Sequence, residues 1–96
     1  MSIKVVLNLS VQKSLKEDFL LFLDENLPNV RSFDGCKHIK VYFNEESLNM
    51  AIDEFWENKE KHQKYIEFIK KNGVMQKLQS YLSKDVDLNY FDILDI

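Results

Sequence analysis

Two glycines and one proline are all that this chain of 96 residues contains. Phosphate cradles of the GxGxxG or GxxxxGK[ST] kind need glycines wherever the backbone closely approaches a phosphate. Nucleotide binding in those forms is therefore excluded. The single cysteine, Cys36, has no partner for an internal disulfide and points to a reducing compartment. Thirteen Lys and Arg stand against sixteen Asp and Glu, for a formal net charge of −3. The two signs are interspersed, so the basic footprint that nucleic acid or an anionic membrane requires is missing. No apolar run is long enough to span a membrane. The opening MSIKVVLNLSV has too short an apolar run for a secretory signal and no small-residue cleavage site. The expected location is the cytoplasm.

What is present is the composition of an ordinary globular domain, 45% hydrophobic and 30% charged. Its length predicts one domain over residues 1–96, with one core. Ile3, Val5, Leu7, Leu9 and Val11 alternate onto one face, the pattern of a strand. Ser14 with Glu17 three residues on has the form of a capping box. Leu15, Phe19, Phe22, Leu23 and Leu27 then recur at helical spacing, and Pro28 is expected to kink or restart that helix. A turn at Phe33-Asp34-Gly35 leads into a second strand, CKHIKVYF. The polar NEES is a turn, and LNMAIDEFW is a third strand that forms a hairpin with the second. Asn58 is placed to cap a second helix with an apolar stripe of Tyr65, Ile66, Phe68 and Ile69, stopped at Asn72-Gly73. A further helical piece carries Val74, Leu78, Tyr81 and Leu82, and VDLNYFDIL is the fourth strand.

The order strand, helix, strand, strand, helix, strand predicts an α+β, ferredoxin-like βαββαβ fold, a four-stranded antiparallel sheet with helices on one face. That arrangement leaves a covering problem. Val6 opposes the Leu7 face, Phe55 opposes Trp56, and Phe91 opposes Tyr90, so both faces of the sheet carry large apolar groups. A face of that kind left in water is unfavourable, and a homodimer pairing the open sheet faces is the economical solution.

Four stretches in this order, VVLNLSV, DGCKHIKVY, DEFWENKEKHQKY and NYFDI, resemble the antibiotic biosynthesis monooxygenase domain family over nearly the whole chain. The third is the most specific: an acidic residue, a Trp ending a strand, then a capped polar helix start leading to an aromatic residue or His. The resemblance implies a dimeric α+β barrel and a cofactor-independent monooxygenase acting on a quinol or polycyclic phenol. In such a reaction the aromatic substrate supplies the electrons, its anion reacts directly with O₂, and the protein holds the ring, favours the anion and excludes water. No cofactor and no metal are expected. The rival expectation is a non-catalytic dimeric module that binds a hydrophobic small molecule. Haem cleavage fits less well, because the later part of the second helix offers Met75 and no His where haem-degrading relatives carry their ligand.

Within that resemblance Asn8 matches a strand-one Asn of some catalytic relatives, where its amide would bond a substrate oxygen; the alternative is a strand amide bonded to a neighbour or water. Trp56 stacks on substrate or is a core indole with its N–H satisfied. Glu54, on the same strand face, takes a proton or orients a partner, or else belongs to a structural ion pair. Tyr65 stands where catalytic members often carry His or Trp, and offers a hydrogen bond to a phenolate. His62 shares the face of Tyr65 and Ile66 and is either a neutral base or a solvated first-turn residue. Cys36 and His38 alternate on one strand and so point the same way. They lack further ligands for a metal, which leaves Cys36 as packing and His38 as a pocket residue. Phe19, Phe22, Leu23 and Phe68 are expected to face the sheet, some of them lining a substrate cavity with Met75.

Overall fold

The computed structural model describes residues 2–96. Strand β1 (Ile3–Ser10) is followed by a 3-10 turn (Lys13–Leu15) and helix α1 (Lys16–Arg31). Strands β2 (Cys36–Asn44) and β3 (Asn49–Trp56) form the hairpin, then come helices α2 (Lys59–Lys71) and α3 (Val74–Ser80) and strand β4 (Asp87–Asp92). All pairings are antiparallel, in the spatial order β2-β3-β1-β4. This is the ferredoxin-like α+β architecture predicted from the element order.

Because strand side chains alternate, the register sorts every residue onto one of two faces. Val5, Leu7 and Leu9 of β1, with Met50, Ile52 and Trp56 of β3 and Ile39 of β2, face the helices and are buried. Phe19, Phe22, Leu23 and Val30 of α1 close over them as one core cluster. The opposite face carries Lys4, Val6 and Asn8, Asp53 and Phe55, and Asn89 and Phe91, with no helix over it. Lys4 and Asp53 pair there at 3.4 Å, with the Lys4 ammonium also 5.7 Å from the centroid of the Phe55 ring.

Three local expectations are corrected. The Ser14–Glu17 capping box does not form: the chain enters α1 through the 3-10 turn, whose Leu15 N–H donates to the Gln12 carbonyl, and no side chain caps the helix. Pro28 does not restart α1. It lies in the last turn, where only one i−4 bond is forfeited, and the chain stays helical to Arg31. Cys36 and His38 do not share a face. A β-bulge between them sets Cys36 opposite Trp56 and His38 opposite Phe55, turning His38 to the open face with its ring 6.0 Å from Phe55.

The turn before β2 packs against the start of α2. Gly35 has φ 96°, and a Cβ there would lie 2.5 Å from Lys61 Cβ, so the turn needs glycine for both conformation and space. Its carbonyl accepts from the Glu57 N–H at 2.8 Å, and Asp34 pairs with Lys61. These bonds fix where α2 begins. Asn58 then caps α2, its side chain accepting from the Lys61 N–H at 2.9 Å, as expected.

Candidate active site

One row of the helix-facing sheet surface is chemically distinct. Across β2, β3, β1 and β4 it reads Ile39, Glu54, Val5, Tyr90. The adjacent row holds Trp56, which is fully buried. A carboxylate between Ile39 and Val5 is a costly neighbour for an apolar core, and it is tolerated because it is hydrogen-bonded. Trp56 Nε1–H donates to Glu54 Oε1 at 2.7 Å, a two-residue reach along one strand face. Asn58 fixes the start of α2 so that His62, in its first turn, descends onto this row. The imidazole is 1% exposed, with Nδ1 2.7 Å from the Tyr90 hydroxyl and Nε2 3.7 Å from Glu54 Oε1.

When the Tyr90 hydroxyl donates to Nδ1, the neutral imidazole carries its proton on Nε2, facing the carboxylate; in the other tautomer Nδ1–H donates to Tyr90. Burial holds His62 down to about 4, so the ring is neutral at physiological pH. Burial pushes Glu54 up to about 7, offset in part by the Trp56 hydrogen bond. The carboxyl therefore exchanges a proton near neutrality, the range suited to a general base. Burial also raises the Tyr65 and Tyr90 phenols, with the Glu54 charge adding to both. Neither serves as a base, but each hydroxyl is a durable hydrogen-bond donor.

Aromatic rings enclose the row. Trp56 meets His62 edge-on at 5.0 Å and lies 5.6 Å from Tyr65, while Phe33 packs edge-on against Tyr65 at 5.1 Å. Beside them, between sheet and helices, is a cavity of about 60 Å³. Glu54 and His62 are its polar lining toward the sheet, Phe22 and Leu23 come from α1, and Met75 closes it from α3. Every buried side-chain nitrogen and oxygen among the described residues has a hydrogen-bond partner. Among them no cluster of three or more His, Cys, Asp or Glu is placed to hold a metal ion. Among the described residues no helix is long and apolar enough to cross a membrane.

The structure thus brings together Glu54, Trp56, His62 and Tyr65, with Phe22, Leu23 and Met75 around the adjacent cavity. It does not bring Asn8 to them. Asn8 is exposed on the open face, paired with Ala51 and Asp87, because β1 directs Leu7 and Leu9 to the helices and therefore Asn8 away. His38 stands on that same outer face. Phe19 is fully buried beside Phe22 and Tyr81, in the core rather than at the cavity wall. Phe68 does not face the sheet; it is 53% exposed on α2 and packs 5.6 Å from Phe33. His62 is a buried residue, not a solvated one. Tyr90 is the group that sequence reasoning missed. Its signal was register: in an antiparallel β1–β4 pair it falls beside Val5, on the row of Glu54.

No family model matches the chain, and no curated protein matches it in sequence. Solved structures do. An antibiotic biosynthesis monooxygenase superposes with a TM-score of 0.84 at 11% identity, over 96% of this chain and 98% of that one. The chain has its fold. A conserved protein from Methanosarcina mazei Go1 superposes equally well, with a TM-score of 0.84 at 18% identity, covering 95% of this chain and 91% of the other. A dimeric ferredoxin-like protein from an uncultured marine organism gives 0.76 at 21% identity, over 99% and 90%. The ferredoxin-like fold of these structures thus extends over essentially the whole chain, at identities where residue roles have to be argued from the site.

Proposed function

We propose that this chain is a monooxygenase-type oxidoreductase that oxygenates an electron-rich phenol or quinol with O₂, using neither metal nor organic cofactor. The observation that carries the reading is Glu54: a buried carboxyl beside an apolar cavity, held by an indole N–H and titrating about 7. Such a group takes the phenolic proton of a bound ring near neutral pH. The phenolate then gives electrons to O₂, and a carbon–oxygen bond forms at a hydrogen-bearing ring carbon ortho or para to the hydroxyl, yielding a peroxide. Protonated Glu54 returns its proton to the peroxide. Loss of that carbon's hydrogen breaks the O–O bond, leaving a carbonyl and releasing the second oxygen as water. The phenol loses two hydrogens and gains one oxygen, and no external reductant is consumed. Tyr65 and neutral His62 stabilise the anion by hydrogen bonding, while the aromatic wall excludes water.

The active form in this reading is a homodimer joined through the open sheet face, supported by Phe91 and Tyr42, each about half exposed there. A second reading, a dimeric module that holds a hydrophobic molecule without turnover, is favoured by one observation. The 60 Å³ cavity is well below the roughly 300 Å³ at which ordinary ligand pockets begin.

Oxygen uptake with a panel of hydroquinones and anthrone-type phenols separates the two. The enzyme reading expects one O₂ consumed per substrate, a kcat/KM that rises through pH 7 as Glu54 ionises, and a loss of about 10²–10⁴-fold in kcat for Glu54→Gln. Uptake no faster than the uncatalysed rate, or an undiminished Glu54→Gln variant, leaves the binding module as the function.

A further inference from the structure

Glu54 and His62 are both buried, yet a base that serves repeated turnovers has to trade protons with water. Glu54 titrates about 7, so about half of its carboxyls hold a proton at neutral pH and must release it before they can act. Two polar side chains meet Glu54 Oε1: Trp56 Nε1 at 2.7 Å and His62 Nε2 at 3.7 Å. An indole N–H only donates, so it holds the carboxyl but carries no proton away. His62 is the way out, and its other ring nitrogen is 2.7 Å from the Tyr90 hydroxyl. Tyr90 is only partly buried, on the edge strand β4, and the ammonium of exposed Lys59 lies 5.0 Å from its ring centroid. The row thus runs from a sealed carboxyl to a phenol at the boundary with solvent. We propose that Glu54, His62 and Tyr90 form a proton relay to solvent, in which His62 exchanges its tautomer each time Glu54 gains or loses a proton.

The protons balance without a charged ring. With Glu54 protonated, its O–H faces the bare Nε2 and Nδ1–H donates to the Tyr90 oxygen. Nε2 takes the carboxyl proton, Nδ1 passes its own to the Tyr90 oxygen, and Tyr90 releases its hydroxyl proton to water. Glu54 is then a carboxylate facing Nε2–H, and Tyr90 donates to the bare Nδ1. One proton has left, and imidazole and phenol are neutral before and after. Burial that holds His62 down to about 4 favours this neutral passage over an imidazolium. At 3.7 Å Nε2 and Oε1 are beyond hydrogen-bond length, so transfer takes place when carboxyl and ring close by about 1 Å.

The neighbouring titratable groups do not compete for the proton. Tyr65 on α2 and Cys36 on β2 are both pushed up by burial and by the Glu54 charge, so each keeps its own proton near neutrality. The Tyr90 phenol is raised by the same two causes, so it hands protons on without standing as a phenolate.

The inference rests on Glu54 as the base of the proposed reaction, but its test needs no substrate. The chain has two histidines, and a His38→Asn variant on the open face assigns their nitrogen-15 NMR signals. Those signals show which nitrogen of His62 carries the proton, while carbon-13 labelling of the Glu side chains, assigned with Glu54→Gln, follows the carboxyl. From about pH 5.5 to about pH 8.5 the His62 proton is expected to move from Nδ1 to Nε2. Ring and carboxyl should share one midpoint, about 7. Glu54→Gln holds the ring in a single tautomer across that range. Tyr90→Phe keeps the aromatic packing but removes the acceptor for Nδ1–H. An unpaired buried N–H is costly, so the ring is expected to stay in its Nε2–H form. Unchanged circular dichroism confirms the fold of each variant. A single tautomer throughout in the native chain, midpoints more than about one pH unit apart, or a switch that survives Tyr90→Phe overturns the proposal. An O₂-consuming enzyme with one fixed tautomer removes the relay alone. A tautomer switch in a chain that consumes no O₂ removes the oxygenase reading and leaves the relay standing.

Discussion

The two faces of one sheet are built from alternate residues of the same strands, yet they hold their polar groups in opposite conditions. On the helix side Glu54 and His62 are 4% and 1% exposed, and burial moves both carboxyl and imidazole far from their ordinary ranges. On the open side Lys4, Asp53 and Asn8 are reached by solvent. A one-residue step along β3, from Asp53 to Glu54, converts a solvated ion-pair partner into a group that titrates near neutrality. Chemical potential of this kind comes from the medium around a carboxyl, not from the carboxyl itself.

The sharpest way to break the comparison is to truncate equivalent aromatics on the two faces. Trp56→Ala is expected to cost about 3–5 kcal/mol in urea denaturation, since it opens a cavity and removes the donor that holds Glu54. Phe55→Ala, one residue away on the open face, is expected to cost the isolated chain about 1 kcal/mol or less. Equal losses would show that the open face is covered within the chain itself.

Next in size is the pH dependence of stability. Glu54 titrates about 7 when folded against an ordinary 4.5, so its contribution is complete below 4.5 and is lost as pH rises to 7. His62 titrates about 4 against an ordinary 6.5, so its contribution is complete above 6.5 and is lost as pH falls to 4. The opposed slopes largely cancel between pH 4.5 and 6.5 in the native chain. Glu54→Gln leaves the His62 slope, with stability rising by roughly 3 kcal/mol from pH 4 to 6.5. His62→Gln leaves the Glu54 slope, with stability falling by a similar amount from pH 4.5 to 7. Parallel stability curves for the two variants would show that neither group is buried as described.

The smallest effect on folding belongs to the open face. Asn8→Ala is expected to change stability by about 0.5 kcal/mol or less and to leave the Glu54 titration unmoved. Phe91→Asp is likewise expected to be mild for the folded chain, but in sedimentation equilibrium it should reduce a dimer to the 11.5 kDa chain. A dimer that survives Phe91→Asp would place the contact elsewhere.

Much of the fold was legible in local pattern. The period-two run in β1 and the Asn58 cap each recorded a local requirement, and both appear as read. The same run also held the correction to Asn8, since alternation that turns Leu7 and Leu9 inward must turn Asn8 outward. The bulge at Cys36 and His38 left no such mark, because an extra residue changes parity only where a partner strand forces it. Tyr90 was equally silent, having no local pattern to distinguish it from Phe91 until β4 was set in register with β1.

The sequence by itself determined which residues alternate, where α2 starts and that Glu54 and Trp56 share a face. These follow from backbone periodicity and capping, which act over a few residues. The tertiary structure alone decided that Glu54 lies between Ile39 and Val5, that His62 is lowered onto it, and that Tyr90 closes the row. Those contacts join four strands and a helix that are distant along the chain. The burial that shifts the carboxyl arises only when all of them have been brought together.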